Sequence, residues 1–141
     1  MRLLKDIAVA SNQASTTEEA LRTALEKVCA VTQWPVGHVY AFDPEKHELT
    51  STPIWHLAHP ERFEPFRRVT ETTPLVVGVG LPGRALAAAK PVWIVDVPKD
   101  GNCPRAQTMH EVGLKAGFAF PILVGSEVVA VMEFYSQARS L

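Results

Sequence analysis

Apolar residues recur with helical spacing in the first third of the chain. The positions before residue 15 that share one side of a helix are Leu3, Leu4, Ile7, Ala8, Ala10 and Ala14. A second stripe predicts a helix over residues 17–32 and consists of Ala20, Leu21, Ala24, Leu25, Val28 and Cys29. Thr16 and Glu19 have the spacing of a capping box, so we expect a break at Ser15 and a second helix that ends before Trp34-Pro35.

The spacing then changes to that of strands. Residues 36–42 alternate, with His38, Tyr40 and Phe42 on one face, and the turn residues at 43–46 lead into a second extended run over residues 49–55. These two strands predict a hairpin. Pro53 inside the second run suits an edge position or a bulge.

The remaining chain alternates short helices and strands. The pattern predicts helices over 61–68, 84–89 and 105–112, extended segments at 76–77 and 92–97, and a helix end at Gly113. Two almost wholly apolar runs, 118–124 and 127–135, flank Gly125-Ser126, which suits a type II′ hairpin. Strands this apolar are covered on both faces. The prediction is an α+β fold, with an antiparallel sheet between two layers.

Composition narrows the function classes. With 141 residues, 47% hydrophobic and 21% charged, the chain has the size and composition of one globular domain. The net charge of −1 argues against nucleic acid as a partner. The longest apolar run, 118–124, is too short for a membrane span, and no signal-peptide core is present. Two cysteines, Cys29 and Cys103, suit a reduced compartment, so we expect a cytoplasmic protein.

Two strings in this order resemble the GAF domain, a small-molecule-binding and dimerising module of signalling proteins. They are GVGLPGRALAAAKPVWI, starting at Gly78, and AFPILVGSEVVAVMEFYS, starting at Ala119. The resemblance implies a GAF/PAS-like central antiparallel sheet of five to six strands. Terminal helices would cover one face, and a ligand pocket would lie under short helices and loops on the other. Residues 1–14 would form a linker or dimer helix and residues 15–136 the core, within a longer multidomain protein such as a sensor histidine kinase.

The resemblance also implies which residues line the pocket. The apolar wall candidates are Trp55, Phe63, Phe66, Leu81, Trp93, Phe118 and Phe120, and Cys103 is a further pocket candidate. Arg84 and Asp96 are the polar candidates, for an anionic group and for a ring nitrogen or hydroxyl respectively. The alternative is that the aromatic residues are ordinary core and that the two charged residues cap helices or form surface salt bridges.

Histidine and cysteine raise cofactor hypotheses. His56 and His59 would share a face if they were helical, and one of them could then bind a metal or haem iron, but His59 precedes Pro60 and is therefore biased toward extended backbone. No metal-ligand pattern completes the pair. Bilin-binding relatives attach the chromophore to a cysteine usually followed by histidine, whereas Pro104 follows Cys103 here. The cofactor, if any, stays undetermined.

Three function hypotheses follow. The first is a non-catalytic sensory domain in which a small molecule biases residues 52–80 and 99–113, with a homodimer seam at Leu3, Leu4, Ile7 and Ala14. The second is a free methionine sulfoxide reductase with Cys103 as its nucleophile; core-facing Cys29 could not easily resolve the resulting sulfenic acid. The third is a structural dimerisation module whose pocket is filled by its own side chains.

Overall fold

The computed structural model describes the backbone of residues 7–137 and the side chains of residues 17–137. Its helices and strands alternate along the chain in the order α1 (Ile7–Thr32), β1 (Val36–Asp43), β2 (Glu48–Leu57), α2 (Pro60–Glu71), β3 (Leu75–Val76), α3 (Gly80–Ala88), β4 (Val92–Ile94), α4 (Ala106–Val112), β5 (Leu114–Val124) and β6 (Glu127–Gln137). A short 3-10 helix, Val97–Lys99, follows β4.

The strands form one antiparallel sheet in the order β3-β2-β1-β6-β5-β4. The first and last long strands, β1 and β6, pair at the centre, where His38 lies opposite Glu133. This arrangement confirms the predicted α+β class and the predicted antiparallel sheet. It also confirms the two hairpins, β1–β2 and β5–β6.

Each face of the sheet packs against a different layer. α1 covers one face through Leu25 and Cys29, which pack against residues such as Val39 and Phe134. The opposite face carries the larger apolar cluster, to which α2, α3 and α4 contribute. Because neighbouring residues of a strand point to opposite faces, position along each strand decides which layer a side chain joins.

The predicted break near Ser15 is wrong, because α1 continues through it as one helix of 26 residues. The polar run at 11–17 contains neither glycine nor proline, so nothing in its backbone chemistry forces the helix to end. The proposed seam residues Leu3 and Leu4, and the side chains of Ile7 and Ala14, lie outside the described residues.

Two prolines shape the strands. The β1–β2 register shifts between His38 and Tyr40, opposite the segment that contains Pro53, and such an irregularity fits the expectation of an edge position or a bulge. The strand predicted over 92–97 is shorter, since β4 ends at Ile94 and Pro98 lies in the 3-10 helix that follows. Proline has no N–H for a ladder and favours such a turn.

The GLPG turn is held close to β3. A Cβ atom on Gly83 would lie 2.6 Å from the backbone oxygen of Val76, closer than such contacts normally come. Only glycine therefore permits this approach, which fixes the start of α3 against the edge strand. In the part of the chain that the structure describes, no helix is long and apolar enough to cross a membrane.

Candidate functional site

A carboxylate lies in the middle of the sheet. Glu133 is on β6, fully buried, between the apolar neighbours Met132 and Phe134. The alternation of the strand points Glu133 toward the α2–α4 side, the same side as Val131 and Tyr135. A charge in such a place is costly unless it is paired and hydrogen-bonded.

Arg105, the residue that precedes α4, supplies that partner. It is 2% exposed, and its Nη2 and Nη1 donate to Glu133 Oε1 at 2.7 Å and Oε2 at 3.2 Å. Nη1 also donates to Thr70 Oγ1 of α2 at 3.0 Å, and Nη2 to the Tyr135 hydroxyl at 3.2 Å. The guanidinium carbon lies 4.9 Å from the ring centre of Phe66. Arg105 thus joins the loop before α4, helix α2 and strand β6 at one point.

His38 of β1 completes the arrangement. Its Nδ1 lies 2.7 Å from Glu133 Oε2, and its Nε2 lies 2.9 Å from Ser51 Oγ. The Tyr135 hydroxyl donates to Glu133 Oε1 at 2.5 Å, so both carboxylate oxygens accept two hydrogen bonds. We call Arg105, Glu133, His38, Thr70 and Tyr135 the Arg105–Glu133 cluster.

The charges within the cluster are fixed by their neighbours. Burial alone would raise the pKa of Glu133, but the Arg105 charge and the hydrogen bond from His38 outweigh it and lower that pKa to about 2. Burial lowers the pKa of His38 below its usual 6.5 despite the nearby carboxylate. Glu133 is therefore ionised and His38 neutral at pH 7. With a protonated Arg105, the cluster has no net charge.

Three buried N–H groups have no acceptor among the described residues: Nε of Arg105, Nε1 of Trp55 and Nε of Arg84. The first two lie beside the Arg105–Glu133 cluster. The Trp55 ring lies against His38, with ring centres 4.0 Å apart, and meets Phe66 edge-on at 6.1 Å. Both donors therefore border the same aromatic layer, and each is a hydrogen-bond donor that a ligand atom could satisfy.

The structure brings some of the predicted pocket residues together. Phe63, Phe66 and Leu81 are buried in the cluster of the α2–α4 face, and Trp55 and Cys103 are partly buried against it. They surround the Arg105–Glu133 cluster. Whether they bind a ligand stays a prediction.

Other predicted pocket residues lie elsewhere. Phe118 and Phe120 point to the α1 face, because Gly117 and Ala119 take the alternate positions of β5. Trp93 stacks on Phe118 with ring centres 4.5 Å apart and is 67% exposed. These three residues therefore do not share a pocket with Phe63 and Phe66.

Neither of the two predicted polar residues belongs to the Arg105–Glu133 cluster. Arg84 forms a salt bridge with Asp100. Asp96 precedes the 3-10 helix and makes no side-chain capping bond. His56 lies in β2 with its Nδ1 3.3 Å from Glu26, whereas His59 precedes α2 with non-helical φ and ψ of −131° and 84°, so the two histidines share no helical face.

The two thiols are separated and weakly acidic. Cys29 packs on the α1 face and Cys103 on the opposite face of the sheet. Burial raises the pKa of Cys29 to about 12, with a further contribution from Glu26. Burial also raises the pKa of Cys103, despite the nearby Arg105. Because the thiolate is the nucleophile, neither sulfur is activated at neutral pH.

Sequence reasoning did not identify the three central residues of this site. Glu133 carried a usable signal, since it is the one charged residue in the strand that follows Glu127. His38 carried a second usable signal, because the two-residue spacing of β1 places it on the same strand face as Tyr40. Arg105 carried no such signal: the pattern placed it at the first position of the helix predicted over 105–112, whereas it lies just before α4.

Comparisons with known proteins agree with this architecture. The GAF domain from an Acinetobacter phosphoenolpyruvate-protein phosphotransferase has a TM-score of 0.64 at 13% identity, covering 87% of this chain and 67% of that one. The free methionine-R-sulfoxide reductase of Neisseria meningitidis, solved with its substrate, has a TM-score of 0.64 at 17% identity, covering 86% of this chain and 63% of that one.

Sequence comparison adds two findings. The transcription factor MYC2 of Oryza sativa subsp. japonica is 37% identical over 60 residues, which is 43% of this chain but 9% of the rice protein. The sequence profile of the GAF domain matches residues 14–140. This match covers most of the chain, and the structural neighbours share the same sheet and helices. The chain belongs to the GAF domain family, whose members are generally regulatory and sensory domains.

Proposed function

We propose that this GAF domain is a non-catalytic sensory module that binds a small molecule on the α2–α4 side of its sheet and thereby controls an output domain. The observation that carries this proposal is the Arg105–Glu133 cluster. Arg105 belongs to one covering segment, residues 99–113, and its bond to Thr70 reaches the other, residues 52–80. A change in the contacts of Arg105 would therefore affect both segments.

The cluster offers a physical basis for two states. When closed, Arg105 holds α2 against β6 through Thr70, Glu133 and Phe66. A ligand that contacts Arg105 or Trp55 would alter the contacts of Arg105 with Thr70, Glu133 and Phe66. Such a ligand shifts the equilibrium only as far as its affinities for the two arrangements differ.

Native mass spectrometry of the domain purified from its own host tests the proposal. We expect a non-covalent small molecule to be retained, and an absorbance scan of the same sample would reveal haem or bilin. If the protein carries nothing, a thermal-shift screen of small metabolites is the second readout. A domain that is empty and that no metabolite stabilises would instead be a structural module whose interior is filled by its own side chains.

The thiols support a non-catalytic role over the reductase alternative. The Neisseria neighbour is a reductase, but at 17% identity the likeness concerns the fold. Here Cys29 and Cys103 lie on opposite faces of the sheet, so one cannot resolve an oxidised form of the other. Their raised pKa values further reduce the thiolate available for attack.

We also propose a homodimer formed through α1. Small or apolar residues of α1 that are exposed in the single chain include Ala20, Ala24 and Val31, which is 84% exposed. Light scattering after size-exclusion chromatography should give the mass of a dimer. Ala24→Glu should convert it to a monomer, while Lys46→Glu in the exposed β1–β2 turn should not. A monomer at high concentration would contradict the proposal.

We further propose a cytoplasmic location and an output domain in the same chain, a two-component sensor histidine kinase. The Acinetobacter neighbour supports the proposal of an output domain in the same chain, since its GAF domain comes from a phosphoenolpyruvate-protein phosphotransferase. Both cysteines are free thiols in the described structure, which suits a reducing compartment.

A further inference from the structure

From the two unpartnered donors beside the cluster, we infer that this domain recognises a compact oxyanion, either a carboxylate group of an organic molecule or a small inorganic anion, through Trp55 Nε1–H and Arg105 Nε–H. The inference rests on the proposed sensory function and specifies the ligand chemistry at that site. These two N–H groups make no hydrogen bond within the Arg105–Glu133 cluster.

The hydrogen bonds of Arg105 show which of its edges is available. Nη1 and Nη2 are occupied by Glu133, Thr70 and the Tyr135 hydroxyl. Nε has no acceptor, although the side chain is 2% exposed. A buried N–H without an acceptor is costly, and guanidinium N–H groups bind oxyanions particularly well.

Trp55 provides the second donor next to the same aromatic surface. Its ring meets Phe66 at 6.1 Å, and the Arg105 guanidinium lies 4.9 Å from that same ring. The Trp55 ring also lies against His38, which donates to the carboxylate oxygen that Arg105 Nη1 contacts. The indole N–H can only donate, so it requires an acceptor atom. Two N–H donors without an acceptor favour an oxyanion over a cation.

Protonation of His38 can balance the negative charge that a bound anion adds. In its neutral form Nδ1–H donates to Glu133, and Nε2 accepts from Ser51 Oγ. If Nε2 gains a proton, it can donate to Ser51 Oγ, which can then donate to the Thr52 oxygen at 3.3 Å. The other charged or ionisable groups near His38 are Glu133, Arg105 and Tyr40. Anion binding would therefore be accompanied by proton uptake at His38.

Nitrogen–proton NMR spectra of the full chain observe both donors directly. The titrants are sodium acetate, sodium nitrate and, as a neutral isostere of acetate, acetamide, with ionic strength held constant by sodium chloride. Trp→Phe variants assign the three indole signals, and Trp34 and Trp93 serve as internal references. We expect the Trp55 indole and Arg105 Nε–H signals to move together and saturate with one dissociation constant, while acetamide leaves both in place.

The titrants separate the sources of the oxyanion. Saturation by acetate alone indicates a carboxylate ligand, by nitrate alone an inorganic anion, and by both a general oxyanion site. Trp55→Phe removes the donor but keeps an aromatic ring, and should weaken binding about tenfold, the effect of one charge-assisted hydrogen bond. Lowering the pH from 7.5 to 6 should tighten binding, by no more than about tenfold per pH unit.

Several results would overturn the inference. These are unmoved signals, an equal response to acetamide, or a response of only one of the two donors. The sensory proposal would survive such a failure if native mass spectrometry still finds a bound molecule, since only the ligand chemistry would then be wrong. If neither method finds a ligand, both proposals fall.

Discussion

Replacing Glu133 with alanine is expected to lower the free energy of unfolding by about 3–5 kcal/mol, the range for breaking a buried ion pair. The substitution leaves the Arg105 guanidinium fully buried with no counter-charge. It also removes the acceptor for His38 and Tyr135. Urea denaturation followed by circular dichroism at pH 7.5 measures the loss, provided the transition is two-state.

A matched exposed pair shows how much of this effect comes from burial. Arg67 Nη1 lies 2.8 Å from Glu71 Oε2, nearly the Arg105–Glu133 distance, but the side chains are 38% and 45% exposed. Glu71→Ala should therefore cost less than about 1 kcal/mol. If Glu133→Ala costs no more than Glu71→Ala, the cluster does not hold the two covering segments on the sheet.

A double-mutant cycle separates the pair from its surroundings. The single substitutions are Arg105→Met, which leaves Glu133 as an unpaired buried carboxylate, and Glu133→Leu, which leaves Arg105 as an unpaired buried cation; each should be strongly destabilising. In the combined Arg105→Met and Glu133→Leu variant no buried charge is left over, so its loss should be much smaller than the sum of the single losses. Additive losses would mean that the two residues act independently.

The strands were the most predictable part of this fold. The apolar run on both sides of Gly125-Ser126 identified the β5–β6 hairpin, and two-residue spacing identified β1. Gly113 ends α4 in a left-handed conformation with φ of 85°, as expected for a glycine at that place. Each of these features is determined by residues that are close together in the chain, so the local sequence was sufficient to predict it. The continuity of α1 was not predictable in the same way, because a polar run that can cap a helix can equally continue one.

The site was harder to predict because it depends on contacts between distant segments. Glu133 and Arg105 are 28 residues apart and His38 and Glu133 are 95 apart. Strand alternation determines that His38 and Glu133 can meet, but only once β1 and β6 are known to be neighbours. For Phe118 and Trp93, residue type alone was misleading. Their aromatic side chains fit a pocket, yet the alternation of side chains along the strands places them on the other face of the sheet.

The Arg105–Glu133 cluster also combines stability with sensitivity to charge. Hydrophobic residues of the same volume could fill this space at similar or greater stability. What an ionic cluster adds is dependence on charge. Under the proposed function, a proton or an anion that reaches it would change the contacts of Arg105 with Thr70 and Glu133 together, and α2, the loop before α4 and β6 would respond as a unit.

Acid should destabilise the domain in two steps whose order follows from the shifted pKa values. Burial lowers the pKa of His38 below 6.5 in the folded protein, so the unfolded chain binds more protons as the pH falls below about 6.5. Stability should decline from there at no more than about 1.4 kcal/mol per pH unit for this one group. Urea titrations at pH 7.5, 6.5, 5.5 and 4.5 measure the decline.

The second step belongs to Glu133. Its pKa is about 2 in the folded protein against 4.5 for the free side chain, so its contribution is complete above about pH 4.5 and disappears as the pH falls toward 2. A shift of this size corresponds to roughly 3 kcal/mol. His38→Gln should abolish the first step and keep the second, whereas His110→Gln on the exposed side of α4 should change neither. A domain equally stable at pH 7.5 and pH 4.5, with the same profile in His38→Gln, would show that His38 is not held neutral by its burial.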